Sequence, residues 1–408
     1  MFLLTLIGFL LPWQTRLLLR TPEINGVAWD FGVLSLFLSQ AVIVGLLAIE
    51  ILKYRTEIKK YVVEKLTTTQ GKIIGSSFVF LVAGQLIFSA NRLLTLQWMF
   101  GAALLFGLAF ILHREKAQRI PFVAAFVISI VLQALLAALQ IFVGATFAST
   151  LLGMSAHKAA ESGSAVIQYA GQRFIRAYGG QSHPNIFGGV TFAALVLFNW
   201  LLKYKKTLGV RKNIIQFSLL VAGALFFSFS RAAWIGFAIW IVMLMYERKA
   251  FRESQTMMIR WTVGIFAVLM VIFSPLVMTR VSVSNPLEQR SVSERASELS
   301  TWKNVVKKSW FFGTGLGAYT ARMDKTQQPV PVHSVPLLLV AELGIFGVLL
   351  VGLLIFTAKL RVSLRRALPL IILVPIALFD HYLISLWAGQ VVLFMFIFQA
   401  FEAGNDEG

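Results

Sequence analysis

Apolar runs of nearly membrane-spanning length recur along this chain, and no other feature restricts its fold as much. Segments 33–52, 73–90, 96–112 and Val335–Thr357 each carry one. About 20 apolar residues in a helix cross a hydrocarbon core of about 30 Å. A helix also satisfies its own backbone polar groups where no water can. The composition is 58% hydrophobic and 13% charged, against roughly 25% charged in a soluble domain. The pattern runs from end to end, so the expectation is an all-α integral membrane protein, one polytopic domain over 1–408. Counting apolar runs between basic loops gives about 12 transmembrane helices.

The formal charge of +19 could suggest a nucleic-acid partner, but its placement argues against one. Of 37 Lys and Arg, 22 fall in five short segments: 53–72, 113–119, 203–212, 247–260 and 359–366. Basic loops after every second span mark the cytoplasmic side of a membrane protein. Both termini are then cytoplasmic, and 12–32, 90–95, 144–186, 229–233, 279–334 and 379–387 face outward. Span one is the weak point, since residues 1–11 reach only about 17 Å as a helix. The helix must continue past Pro12, or the start is truncated; no basic region or small-residue site marks a cleaved signal peptide. With no cysteine, disulfides and thiolate chemistry are excluded.

Two outer segments, 144–186 and 279–334, are long and polar, and long ordered loops tend to carry function. Within the second, residues 293–310 read as an interfacial helix. Arg295, Leu299, Trp302 and Val306 share one stripe at 100° per residue, with Glu294, Glu298 and Lys308 opposite. Arg295 thus either snorkels to headgroups or needs an anion, and a ligand phosphate is a candidate. Gly313-Thr-Gly-Leu-Gly317 lacks the strand that a dinucleotide fingerprint requires and reads as a tight turn.

The remaining candidates also gather on the outer side. Arg231 sits between two apolar spans with almost no loop, either meeting lipid phosphates or binding a ligand. Arg173 and Arg176 precede the turn-rich run 178–185, where His183 lies and Asn185 is placed to cap a helix. His333 stands at the mouth of a helix capped by Ser334, whose dipole should keep the imidazole neutral. Glu342 lies deeper in that helix and is a secondary candidate, as is Asp380 in Asp380-His-Tyr382. The histidines are far apart in sequence and show no metal-ligand spacing, so no metal and no cofactor are expected.

In order, SFSRAAW (228–234), SERASELSTWKNVVKKSWFFGTGLGAY (293–319) and HS-x₉-GIFG from His333 resemble the O-antigen ligase and O-antigen polymerase superfamily. RAYGGQSHPNIFGG and DHY look like family segments too, so the resemblance spans roughly 170–390. Val348 departs from the ligase pattern, which often has a polar residue or tyrosine there. The resemblance implies an enzyme of the bacterial cytoplasmic (inner) membrane. It would move a glycan from an undecaprenyl-diphosphate carrier to a glycan, lipid A core or protein acceptor. By position, Arg231 and Arg295 match the arginines that hold the donor diphosphate, with Arg290 as the alternative to Arg295. Arg176 matches a basic residue of the earlier loop, and His333 matches the histidine that activates the acceptor hydroxyl. Ligase and polymerase chemistry are equally compatible with these residues. A transporter or flippase is the other class, and it should place polar or broken-helix features near the midplane.

Overall fold

The computed structural model describes residues 2–204, 210–247, 252–282, 285–324, 329–357 and 364–405. Parts of the basic segments 203–212, 247–260 and 359–366 lie outside the described residues. Helices run in the order α1 (Phe2–Leu10), α2 (Leu38–Lys53), α3 (Arg55–Thr67), α4 (Thr69–Ile87), α5 (Arg92–Arg114) and α6 (Arg119–Val143). They continue as α7 (Pro184–Tyr204), α8 (Arg211–Phe227), α9 (Arg231–Glu247), α10 (Glu253–Ile272), α11 (Ser274–Val281) and α12 (Pro286–Ser309). The last are α13 (Val335–Thr357), α14 (Leu364–Ile371), α15 (Val374–Phe379), α16 (Tyr382–Ser385) and α17 (Trp387–Asn405).

Among the described residues, six helices are long and apolar enough to cross a membrane: α4, α5, α6, α7, α10 and α13. Shorter apolar helices cover Arg231–Tyr246, Ala367–Phe379 and Trp387–Glu402. Large apolar side chains are exposed on α6 and α13, as at Phe142 (90% exposed) and Phe356 (82%), which suits lipid as solvent. α7 is the hub, almost wholly buried and packed on α6, α8, α9 and α17. Its Gly188 and Gly189 matter for the site. A Cβ at Gly188 would meet Ser228 and Ser230, and one at Gly189 would strike the Tyr382 hydroxyl. Two glycines therefore let the α8–α9 turn and the 380–382 segment close onto one end of α7.

Several expectations change. Among the described residues, the twelve expected spans are not all helices of spanning length. α1 has nine residues and stops before Pro12 instead of continuing through it, and α2 has only sixteen. The run 33–52 opens as a strand, β4 (Leu34–Phe37), paired antiparallel with β1 (Arg16–Arg20). Beside it lie β2 (Glu23–Ile24) and β3 (Val27–Ala28), and the 144–186 segment holds the hairpin β5 (Val166–Tyr169) and β6 (Gln172–Ile175). The all-α description thus holds for the spans but not for their connections. Ala170 and Gly171 both take positive φ, the turn geometry that matches strand twist. The basic segment 53–72 is mostly helix α3 rather than loop, and the interfacial helix starts earlier than expected, at Pro286.

Candidate functional site

The α8–α9 turn is the first part of the site. Phe229 adopts φ +47°, a strained conformation for an aromatic residue that costs about 1–3 kcal/mol unless its surroundings enforce it. Packing of its ring on Phe226 and Trp234, with centroids 5.4 and 5.6 Å away, holds it there. Two guanidiniums clamp the turn's carbonyls: Arg176 Nε donates to Ser228 O at 2.8 Å, and Arg280 Nη2 donates to Phe229 O at 3.4 Å. The turn sets Arg231 as the first residue of α9. Arg231 Nη1 donates to Arg280 O at 3.0 Å and lies 2.8 Å from Glu288 Oε2. Arg280 also pairs with Glu288, so one buried carboxylate stands between two arginines.

α12 carries the next group. Trp302 Nε1 donates to Leu337 O at 2.7 Å, fixing the helix against the start of α13. Arg295 is half-buried and makes no ion pair among the described residues, while its charge bears on both Arg280 and His333. It stands electrostatically between the arginine pair and the histidine. Arg290 does not join them; it forms an exposed i,i+4 pair with Glu294 at 2.7 Å. Glu298, assigned to the far face by helical spacing, instead turns to His333. Both its oxygens lie 2.8 and 2.9 Å from Nδ1, and Oε2 accepts the His333 backbone N–H at 3.2 Å.

That contact changes the chemistry expected of His333. A carboxylate only accepts, so Nδ1 carries the proton and Nε2 is left as the basic nitrogen. Burial lowers the His333 pKa, but the hydrogen bond to Glu298 and the charges of Asp380 and Glu298 outweigh it, and the net shift is upward. The helix dipole does not prevail, because two nearby carboxylates outweigh the partial charge of a helix end.

Across from His333 lie Asp380 and His381, which follow the end of α15. The two imidazoles meet edge-to-face with centroids 5.1 Å apart. Burial pushes His381 down to about 4, which keeps it neutral near pH 7. Burial would raise Asp380, but His381, His333, His183 and a hydrogen bond from Asn185 hold it below the usual carboxylate value. Asn185 Nδ2 donates to Asp380 at 2.9 Å, and Asn185 Oδ1 accepts from Arg176 Nη2 at 2.6 Å. Arg176, expected on the diphosphate, is buried and spends its guanidinium on Ser228 and this relay. Burial first, then the charge of Arg280, depresses its pKa. Asn185 is not the cap of α7. His183 is, with Nδ1 accepting the Asn185 N–H at 3.1 Å and its carbonyl accepting from Phe187.

Sequence distance misled on one point: His333, Asp380 and His381 offer donor atoms within 4.8 Å of one another. The set fits a divalent cation in chemistry, although both Asp380 oxygens already accept hydrogen bonds, from the His381 N–H and Asn185. Glu342 lies apart from these groups. Its carboxyl takes backbone hydrogen bonds from Gly317 and Tyr319. The Gly313–Gly317 turn, with φ of +76°, +89° and +74° at its glycines, docks on a kink at Gly344 (φ +62°). Thr314 and Gly315 donate to the carbonyls of Ala341 and Glu342. Glu342 thus anchors a turn.

The groups that sequence reasoning passed over are Arg280, Glu288, Glu298, Asn185 and His381. A carboxylate three residues after Arg295 was visible, but only the packing angle of α12 reveals which way it points.

No curated protein and no solved structure gives a significant match to the chain. Residues 216–352 match the family model described as O-antigen ligase. The matched stretch is narrower than 170–390; it contains Arg231, Arg295 and His333 and leaves out Arg176, His183 and Asp380. The apolar helices mark an integral membrane protein, and its segment 216–352, about a third of the chain, is similar to the O-antigen ligase family.

Proposed function

We propose that this protein transfers a glycan from a polyprenyl-diphosphate carrier to an acceptor hydroxyl at the outer face of the bacterial inner membrane. The observation that carries the reading is the cluster itself. A histidine with Nδ1 locked on Glu298 feels the charge of Arg295, and Arg295 in turn acts on Arg280, the neighbour of Arg231, at helix ends opposite those that lead to the basic segments. α9 and α13 both start at this cluster and run toward the basic segments 247–260 and 359–366, and this charge bias supports the non-cytoplasmic side for the cluster.

Nε2 of His333 takes the proton of the acceptor hydroxyl as that oxygen bonds to the anomeric carbon. The bond from that carbon to the carrier phosphate breaks, its electron pair leaves with the polyprenyl diphosphate, and the single displacement inverts the centre. Arg231 and Arg295 hold the diphosphate and stabilise its growing charge, for which forked, permanently charged guanidiniums are suited. Arg176 acts through Asn185 to fix Asp380, which faces both histidines. The energy lies in the donor linkage, so no nucleotide or cofactor enters. The acceptor is a sugar hydroxyl of lipid A core in a ligase or of a second repeat unit in a polymerase.

The test is transfer from a lipid-linked glycan in proteoliposomes, with insertion monitored in parallel. Arg231→Ala and Arg295→Ala should abolish transfer while the protein still inserts. Normal transfer by either would remove the role assigned to that arginine.

A further inference from the structure

Glu288 has no task in the chemistry above, yet it is the most buried carboxylate among the arginines. Its side chain is 6% exposed and sits between Arg231 and Arg280. The pairing is incomplete on both sides. Oε2 lies 2.8 Å from Arg231 Nη1, yet it has no aligned hydrogen bond among the described residues. Nε of Arg280 is buried and also lacks an acceptor there. Arg280 is otherwise held in place by the Phe229 carbonyl and by the Arg231 bond to its own carbonyl.

The charges do not balance either. Arg280 feels Arg231 and Arg295 as well as Glu288, and Arg176 feels Arg280 and Arg231. Among the described residues only Arg231 and Arg280 of these four guanidiniums have a carboxylate ion pair, and both share Glu288, while an unpaired buried cation is costly. A diphosphate carries more charge and more oxygens than one carboxylate, and guanidinium forks fit those oxygens bidentately.

We propose that Glu288 is a built-in stand-in for one donor phosphate, and that Arg280 is a further diphosphate-binding residue which Glu288 keeps paired until the donor displaces it. The inference rests on the diphosphate reading above. In the free protein the carboxylate holds the Arg231 and Arg280 heads together, so the donor meets a preorganised pair and releases Glu288 from it.

The experiment is calorimetric binding of inorganic pyrophosphate to the full-length protein in detergent. Glu288→Gln should bind about tenfold tighter than the wild type, because a competing charge is gone, and Arg280→Ala should bind at least about tenfold weaker. Arg280 also clamps the strained turn, so Arg280→Lys, checked by thermal unfolding, keeps the charge and loses only the fork. It should weaken binding without loss of folding. If Arg231→Ala loses binding while Arg280→Lys and Glu288→Gln match the wild type, the inference falls and the diphosphate reading stands. If Arg231→Ala binds pyrophosphate like the wild type, or the wild type and Glu288→Gln both fail to bind, both fall.

Discussion

Glu298 holds His333 at two points, with its carboxylate oxygens 2.8 and 2.9 Å from Nδ1 and one of them also accepting the backbone N–H. The double contact fixes the ring's orientation and its tautomer together, and it leaves Nε2 to do the chemistry. Because the carboxylate raises the His333 pKa, the base form accumulates only as pH climbs above the ordinary histidine value near 6.5. Activity should therefore rise with pH through that raised value. In Glu298→Gln the acid limb of the pH–rate profile should move to lower pH, and turnover should fall by about 10–100-fold. A profile with an unmoved limb would reduce Glu298 to a structural contact.

His333→Gln removes the base but leaves the arginines in place. Transfer should drop by about 10²–10⁴-fold, with binding of the lipid-linked donor kept near the wild-type level. Donor binding that falls in step with transfer would assign His333 to binding rather than proton transfer.

Arg290 and Arg295 are five residues apart and give opposite expectations. The Arg290–Glu294 pair is exposed at 76% and 56%, and such pairs contribute little. Arg290→Ala should leave transfer and thermal stability unchanged, whereas Arg295→Ala loses transfer. The reverse result would move the diphosphate contact to Arg290.

The metal-free mechanism makes its own prediction about His333, Asp380 and His381. Transfer measured after extended chelation and buffer exchange should equal that of untreated protein. Loss on chelation, restored by one divalent cation, would make the three residues ligands and displace His333 from the base role.

Gly344 takes φ +62°, and a Cβ there would lie 2.3 Å from the Gly313 nitrogen. Gly344→Ala should destabilise the fold by about 1–3 kcal/mol, read as a lower midpoint of thermal unfolding in detergent. An unchanged midpoint would mean that the kink does not depend on glycine.

Much of the architecture was legible in the chain because lipid imposes a one-dimensional rule: a run of apolar residues must be a helix. Val335–Thr357 matches its run from end to end, and 96–112 lies within α5. The rule fails where connections fold on themselves. β4 and the 166–175 hairpin form because backbone groups between the helices can pair with neighbouring strands, which no apolar count anticipates.

The candidate site divides in the same way. The sequence by itself determined which cations and histidines stand near helix ends, since Arg231, Arg295 and His333 each sit beside a legible turn or interfacial helix. It could not decide which carboxylates meet them. Helical spacing put Glu298 on the far face of α12, but the docking of that helix through Trp302 against Leu337 turns Glu298 onto His333. Arg176 and Asp380 are about half the chain apart in sequence, yet Asn185 joins them, because two glycines let α7 accept both the α8–α9 turn and the 380–382 segment. Only tertiary structure decides such pairings, because they depend on where rigid helices touch, and the order of residues within any one helix does not contain that.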